Sequence, residues 1–355
     1  MERLQIVELA SGDNNAGTKA TADIAAIADM LGFKRVTVHM NTFRDSALGK
    51  LQRQIGYYRD WKQAYDAIPA RSAVLMQHPF HHNQLTRSAV LNRLKSEKNV
   101  RFISVVHDVE ELRVSRFNDY YAREFSEMLK LADVLIVHNP VMRGWFIQKG
   151  VPAEKLVCLG IFDYLQNGRH EKPLPTYERT ITIAGNLDPY KSAYISHLWE
   201  IKDVRFHLYG SNYEKTQHDS ASIEYHGSLP PDALSEKLNS GFGLVWDGSG
   251  LDGCKGPMGQ YLKYNNPHKL SLYLSSGLPV IIWKEAAEAE LVKTAGVGIC
   301  TDNLKTLGEA LKNVTAAEYQ QMAENAARLG EKLRSGEYGR TAISRAMQIL
   351  EERAR

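Results

Sequence analysis

The segment YLQNGRHEKPLPTYER, residues 164–179, divides the 355-residue chain into two halves. It is polar, contains two prolines and shows no apolar period, which is typical of a linker between folded units. On both sides of it, short β-rich apolar runs alternate with segments of helical periodicity. A chain of 355 residues also exceeds what one hydrophobic core usually organises, so we predict two domains.

Each half has the pattern of β-strands separated by helices. The predicted strands are residues 4–10, 35–41, 72–79, 100–108, 133–139 and 155–163, then 180–186, 204–210, 223–229, 242–248, 279–283 and 296–300. Helical patterns separate them, including one at 190–200, and a helical tail covers 304–354. Such alternation indicates α/β domains with parallel sheets covered on both faces.

The predicted organisation is two Rossmann-like domains that face each other across a cleft. Residues 1–163 form the N-terminal domain, 164–179 the linker and 180–335 the C-terminal domain. Residues 336–355 are expected to form a last helix that packs back on the N-terminal domain.

Composition limits the classes of function. The 44 basic and 41 acidic residues give a formal charge of +3, which is too balanced for a nucleic-acid-binding protein. No segment approaches the roughly 18 apolar residues of a spanning helix, and the first residues lack the hydrophobic centre of a signal peptide, so we expect at most peripheral membrane contact. The widely spaced Cys158, Cys254 and Cys300 argue against a disulfide framework or a zinc ribbon and predict a cytoplasmic protein.

Ligands of open parallel sheets bind outside the carboxyl ends of the strands. Polar and small residues gather at those predicted ends, although strand ends meet polar loops in any protein. In sequence order they are Asn14, Asn15, Asn41, Thr42, His78, His107, Asp108, His138, Asn139, Gly185, Asn186, Tyr209, Gly210, Gly227, Ser228, Asp247 and Gly248.

The segment KYNNPHKLSLYLSSGLPVI, residues 263–281, predicts an anion site. Asn266, His268 and Lys269 stand just before and at the start of a helix that Gly277 ends. A helix N-terminus presents unpaired N–H groups and a partial positive charge, which favour a phosphate. The alternative is a capped core helix with an exposed lysine.

Two loops of the N-terminal half carry further candidates. In SGDNNAGTKATAD, residues 11–23, Gly12 and Gly17 flank a polar turn, with Thr18 and Lys19 at the start of a helix. This is neither a G-x-G-x-x-G nor a Walker loop, so a plain strand-to-helix turn is the alternative.

In SVVHDVEELR, residues 104–113, Asp108 and Glu110 follow a buried strand, where a general base would be held near a substrate. Divalent-metal binding is the weaker interpretation, because the chain has no D-x-D motif. The alternative is an ion pair with Arg113 or Arg116. The histidines of QHPFHHNQ, residues 77–84, are interpreted as lining or capping residues rather than metal ligands, and the glycine-rich residues 246–264 as a long mobile loop.

These segments together resemble the GT-B glycosyltransferases. More narrowly, the chain is similar to the bacterial group that contains the glucosyltransferases of serine-rich-repeat adhesin glycosylation and the β-1,6-galactofuranosyltransferases. HDVEELR, AGNLDPYKSAYI, LYGSN, GSLPPDALSEKLNSGFGLVWDG and NNPHKLSLYLSSGLPVI occur in the order of that family.

The resemblance implies transfer of a hexose from a UDP-sugar to a glycan or glycopeptide acceptor, without a metal cofactor, by a homo-oligomer. Glucose and N-acetylglucosamine are the favoured sugars, with galactofuranose as a further candidate. The residues implied at the donor are Asn186 and Lys191 by the diphosphate or sugar, Tyr209, Gly227 and Ser228 by the nucleoside, Asn266, His268 and Lys269 by the diphosphate and ribose, and Thr18 and Lys19 as a cap. Where many GT-B enzymes have a Glu-x7-Glu pair, this chain has Tyr264 and Leu272.

Two hypotheses remain from this sequence. In the first, His268 and Lys269 stabilise the departing UDP. If the reaction inverts, Asp108, or else Glu110, accepts the acceptor proton, whereas a retaining reaction does not need that base. In the second, the chain is a non-catalytic sugar-binding or chaperone subunit that keeps the fold.

Overall fold

The structure is a computed structural model that describes residues 1–10, 16–40, 46–114, 117–166, 173–218 and 221–354. The chain divides into two compact units. The first comprises Met1–Glu111, Arg116–Leu159 and Gly339–Arg355, and the second comprises Leu112–Ser115 and Gly160–Tyr338.

In the first unit, six strands form a parallel sheet in the order β2-β1-β3-β4-β5-β6. Its elements are β1 Arg3–Ala10, α1 Ala16–Met30, β2 Lys34–Met40, α2 Ala47–Ala67, β3 Ala73–His78, α3 Arg87–Lys98, β4 Arg101–Val106, α4 Glu110–Arg113, α5 Asp119–Leu131, β5 Val134–Val137, α6 Pro140–Gln148 and β6 Leu156–Cys158.

In the second unit, six strands form a parallel sheet in the order β12-β11-β10-β7-β8-β9. Its elements are β7 Thr176–Ala184, α7 Pro189–Ser192, β8 Arg205–Tyr209, β9 Ile223–Tyr225, α8 Pro231–Lys237, β10 Ser240–Val245, α9 Gly256–Tyr261, α10 His268–Ser275, β11 Val280–Trp283, α11 Ala289–Ala295, β12 Gly298–Thr301, α12 Leu307–Lys312 and α13 Ala316–Ser335. The last helix, α14 Glu337–Ala354, starts in the second unit and ends in the first.

The predicted α/β class with two parallel sheets is confirmed, and differences lie in the element bounds. β7 begins at Thr176, inside the predicted linker. The predicted helix 190–200 consists of the short α7 followed by a 3₁₀ segment, Ala193–Glu200. The predicted tail is divided by the Thr315 capping box at the start of α13 and by Gly336, which has a φ of 74°.

Each unit has its own apolar core around its sheet. In the first, Tyr57 and Trp61 of α2 are buried beside Phe102 of β4. In the second, Tyr273 of α10 and Tyr319 of α13 are buried with Trp246. Among the described residues, no helix combines the length and apolar composition that a bilayer-spanning segment requires.

Candidate active site

The second sheet has a topological switch point between β7 and β10. Strands β8 and β9 lie on one side of this pair and β11 and β12 on the other, so the connections leave in opposite directions. Ligands of doubly wound sheets bind at such a crevice. Gly185 and Asn186 follow β7 there, and Asp247 and Gly248 follow β10.

Lys269 is anchored beside this switch point. Its Nζ donates to Asp247 Oδ1 at 2.8 Å and to the Trp246 carbonyl at 2.9 Å, and both charged side chains are largely buried. Burial lowers the pKa of Lys269, and the Asp247 carboxylate opposes that effect. An ammonium group has three N–H donors, so one donor is not used by these two contacts.

Lys191 contributes a second cation close to Lys269. Its carbonyl accepts from the Gly248 backbone N–H at 2.8 Å, which ties α7 to the residues after β10. The Lys191 charge also lowers the pKa of Lys269, after the larger effects of burial and Asp247. Two lysines with one carboxylate give this cluster, Lys191, Asp247 and Lys269, a net positive charge. We call it the lysine cluster.

Helix α10 begins next to the cluster without a side-chain cap. Its N-cap residue is Pro267, which makes no side-chain capping hydrogen bond. The predicted neighbours have structural contacts as well: Asn266 Nδ2 donates to the Gly160 carbonyl at 2.8 Å, and the His268 ring packs 5.1 Å from the Tyr164 ring. Leu272, at the position where many GT-B enzymes have a glutamate, is buried in the core.

The predicted nucleoside-side residues lie at the ends of β8 and β9. The Tyr209 ring stacks on the His226 ring with centroids 4.7 Å apart. The Gly210 N–H donates to the Gly227 carbonyl at 2.8 Å, and a Cβ on Gly210 would lie 1.7 Å from the Gly185 carbonyl oxygen. Only glycine fits at 210, where φ is 150°, and Ser228 is exposed beside it.

Asn186 lies at the exposed end of β7. Its Oδ1 accepts from Asn212 Nδ2 at 2.9 Å and from the Asp188 N–H at 3.2 Å. The structure therefore brings Asn186 together with the loop after β8, which links the diphosphate-side and nucleoside-side residues of the prediction.

The prediction of one long mobile loop at residues 246–264 is wrong in that the segment contains a helix and a buried residue. Residues Gly256–Tyr261 form α9, and Cys254 is fully buried. The Ser249 N–H donates to the Lys255 carbonyl at 3.1 Å, and Gln260 Nε2 donates to the Cys254 carbonyl at 2.8 Å. The glycines here permit close packing: a Cβ on Gly259 would meet the Cys254 carbonyl carbon at 2.5 Å.

In the first unit, Asp108 is half-buried two residues beyond β4. His138, which follows β5, lies near enough that the Asp108 charge opposes the effect of burial, which lowers the pKa of His138 to about 4. Glu110, the second predicted base, is buried in α4. Asn139 is the N-cap of α6, where its side chain accepts from two backbone N–H groups, so its place at a strand end has a structural reason.

A buried polar network at the switch point between β1 and β3 was missed from the sequence. Glu8 Oε1 accepts from Gln84 Nε2 at 2.5 Å, and Gln84 Oε1 accepts from Trp61 Nε1 at 2.7 Å. Burial raises the pKa of Glu8 to about 7, against the Gln84 hydrogen bond and the Arg87 charge. Beside it, Arg87 forms a buried ion pair with Glu124. The one sign of this network in the sequence is a glutamate, Glu8, inside the apolar run LQIVELA.

The other candidates of the first unit are partly outside the described residues. Lys19 forms an ion pair with Asp23 on α1, so its charge is balanced on its own helix. Thr18 belongs to α1, but its side chain lies outside the described residues. Six further positions named in the predictions lie wholly outside the described residues: Gly12, Asn14, Asn15, Asn41, Thr42 and Arg116.

A cavity of about 640 Å³ among the described residues is a different feature. It is lined by Trp199, Lys202 and Arg205 among others, at the amino ends of β7 and β8. This is the edge of the sheet opposite the switch point, so the cavity is not taken as the active site.

Comparison with known proteins identifies two family domains in the chain. Residues 3–161 match "Glucosyltransferase 3-like, N-terminal domain" and residues 181–346 match "Glucosyltransferase 3-like, C-terminal domain". The chain is 35% identical over 258 residues to β-1,6-galactofuranosyltransferase WbbI of Escherichia coli (strain K12), covering 71% of this chain and 73% of that one. It is 25% identical over 341 residues to glucosyltransferase 3 of Streptococcus gordonii, covering 93% and 94%.

The fold is shared with solved glycosyltransferase structures. HepE of Anabaena in complex with UDP-glucose aligns over 100% of both chains with a TM-score of 0.60 at 13% identity. At that identity the match shows the GT-B fold alone.

Proposed function

The chain belongs to the glucosyltransferase 3-like family of glycosyltransferases, and on this premise we propose that it transfers a hexose from a UDP-sugar to a hydroxyl of a glycan or glycopeptide. The observation that carries the proposal is the lysine cluster at the switch point of the second sheet, with an uncapped helix start beside it.

Breaking the bond between sugar and diphosphate leaves negative charge on the departing UDP. In the proposal, Lys191, the remaining donor of Lys269 and the first N–H groups of α10 stabilise that charge. Asp247 holds Lys269 in one orientation, so the cation is positioned before the donor binds. A charge-assisted hydrogen bond of this kind contributes about 1.5–3 kcal/mol. Tyr209, Gly227 and Ser228 are proposed at the nucleoside, with Asn186 between the two groups.

The proton of the acceptor hydroxyl needs a base when the reaction inverts the anomeric centre. We assign this role to Asp108, because it is half-buried at a strand end, whereas Glu110 is buried in α4. The carboxylate accepts the proton as the hydroxyl oxygen attacks the anomeric carbon, and the electron pair of the broken bond leaves with UDP.

The sugar is part of the proposal. Sequence resemblance favoured glucose or N-acetylglucosamine, but the higher identity is to a relative named as a galactofuranosyltransferase. UDP-galactofuranose is therefore the first donor to test, followed by UDP-glucose and UDP-N-acetylglucosamine.

The test is a donor and acceptor panel with the purified full chain. UDP release and mass-spectrometric detection of the product are measured for each donor with hexosides and an N-acetylglucosamine-modified peptide as acceptors. We expect one UDP-sugar to give product and UDP to raise the melting temperature. No product with any donor, together with no thermal response to UDP, would contradict the proposal and favour the non-catalytic subunit. Light scattering on the same sample tests the predicted homo-oligomer.

A further inference from the structure

Two histidines and a glutamate converge at the edge of the second sheet. His207 of β8 and Glu224 of β9 are directly paired across the two strands. His226 follows Glu224 by two residues, so it lies on the same face. The His226 backbone N–H donates to the Leu208 carbonyl at 2.9 Å, which keeps it in register with β8. We call these three residues the edge histidine cluster.

The distances within the edge histidine cluster allow a metal ion to contact all three side chains. His207 Nδ1 lies 2.9 Å from His226 Nε2, and Glu224 Oε2 lies 3.7 Å from the first nitrogen and 3.8 Å from the second. The nearest point equidistant from these three atoms is about 2.0 Å from each, which matches the usual Zn–N and Zn–O lengths. The described part of the chain holds no other group of three such ligand atoms this close together.

The cluster is held in place before any ion binds. The His226 ring stacks on Tyr209 with an interplanar angle of 16°, so packing fixes its plane. His207 is the least exposed of the three side chains, so the surrounding residues restrict its ring as well.

We propose that His207, Glu224 and His226 bind one Zn²⁺ ion, with water completing a tetrahedral site. Two imidazoles and one carboxylate suit zinc better than magnesium or calcium, which prefer oxygen ligands. The ion joins the edge strand β9, only three residues long, to β8 next to Gly227. This inference does not depend on the proposed function.

The experiment is metal titration of the tag-free, chelator-treated full chain. Co²⁺ serves as a spectroscopic probe because tetrahedral Co²⁺ absorbs strongly in the visible range, and Zn²⁺ binding is followed by calorimetry. We expect one equivalent of either metal to bind the wild type. His207→Ala, His226→Ala and Glu224→Gln should each weaken binding at least tenfold, and Zn²⁺ should raise the melting temperature of the wild type but not of these variants.

His197→Ala is the matched control. His197 is exposed and pairs with Glu200 at 3.0 Å, but no second histidine completes a site there among the described residues. This variant should bind metal as the wild type does. Equal affinity in His207→Ala or His226→Ala and the control would overturn the proposal. X-ray absorption of the zinc-loaded wild type gives a second test, independent of whether the variants fold: two imidazole ligands support the site, and any other ligand set contradicts it.

Discussion

The carboxyl ends of the two sheets differ in the charge they carry. The first sheet ends in acids and imidazoles, with Glu8, Asp108 and His78 among them, and the second in the lysine cluster. Burial shifts two of these groups toward their uncharged forms: it raises the pKa of Glu8 to about 7 and lowers the pKa of His78 to about 3. The lysine cluster contains the ion pair between Lys269 and Asp247, with the charge of Lys191 close to Lys269.

The difference separates two kinds of chemistry. Carboxylates and imidazoles can accept or give a proton, whereas the lysine cluster presents positive charge to an anion. The proposal thus assigns acceptor activation to residues of the first unit and stabilisation of departing UDP to residues of the second. Variants of the first unit should lose turnover, and variants of the second should lose stability or donor binding.

The largest expected effect is on turnover in the first unit. Asp108→Asn removes the proposed base, so kcat should fall about 10²–10⁴-fold while the affinity for UDP is unchanged. Initial rates and calorimetric binding of UDP measure the two quantities. Glu111→Gln is the control, because Glu111 is a half-buried neighbour that pairs with Lys149. Turnover near that of the control would remove Asp108 from the mechanism.

In the second unit, the main expected effect of Lys269→Met is a loss of stability. It leaves the buried Asp247 carboxylate without its cation, at a cost of about 3–5 kcal/mol in the free energy of unfolding. Urea unfolding measures this, with Lys312→Met, which breaks an exposed pair with Asp203, as control.

Adding Asp247→Asn to Lys269→Met separates the structural role of Lys269 from its binding role. We expect the double variant to regain stability but to bind UDP weakly. Recovery of both properties would mean that Lys269 serves packing alone.

Lys191→Met should affect donor binding without a large loss of stability. Its side chain adds charge to the lysine cluster. The buried Asp247 forms its ion pair with Lys269, so that pair stays intact in the variant. Loss of one charge-assisted contact should raise KM for the donor about 10–100-fold. Lys202→Met, at the opposite edge of the sheet, should leave KM unchanged; equal KM values in the two variants would contradict the role of Lys191.

The smallest expected effect is on the pH dependence of stability. The pKa of Glu8 rises from 4.5 to about 7 on folding, so the folded chain binds this proton more tightly than the unfolded chain. Its contribution is complete below about pH 4.5 and is lost as the pH rises through 7. Glu8→Gln cannot ionise and keeps an oxygen for Gln84, so it should be more stable than the wild type at pH 8, by on the order of 2 kcal/mol, and similar at pH 4.5.

Thermal unfolding at the two pH values checks this, and the other ionisable neighbours, Arg87, Glu124 and Tyr57, are common to both proteins. A difference that does not change with pH would mean that Glu8 ionises normally in the folded chain.

The sequence predicted the sheets well because strand and helix periods are local properties. It missed the first residues of β7 because Thr176–Arg179 are mostly polar and exposed, so they show no apolar alternation. It missed the network of Glu8 because Gln84, its hydrogen-bond partner, lies 76 residues further along the chain.

The candidate site shows the same limit. The sequence Asn-Pro-His-Lys predicted the start of a helix at His268, and α10 begins there. The ion-pair partner of Lys269 could not be predicted, because Asp247 follows strand β10 and lies 22 residues earlier in the chain. The roles of the individual site residues remain proposals that the variants above test.

The last helix has a consequence for synthesis. Gly339–Arg355 belong to the first unit, where Ala346 and Leu350 are buried and Arg353 donates to the Asp133 and Glu154 carbonyls. A ribosome makes these residues after the whole second unit. The first unit can therefore complete its fold only after the last helix has been translated, although most of its residues are made before the second unit.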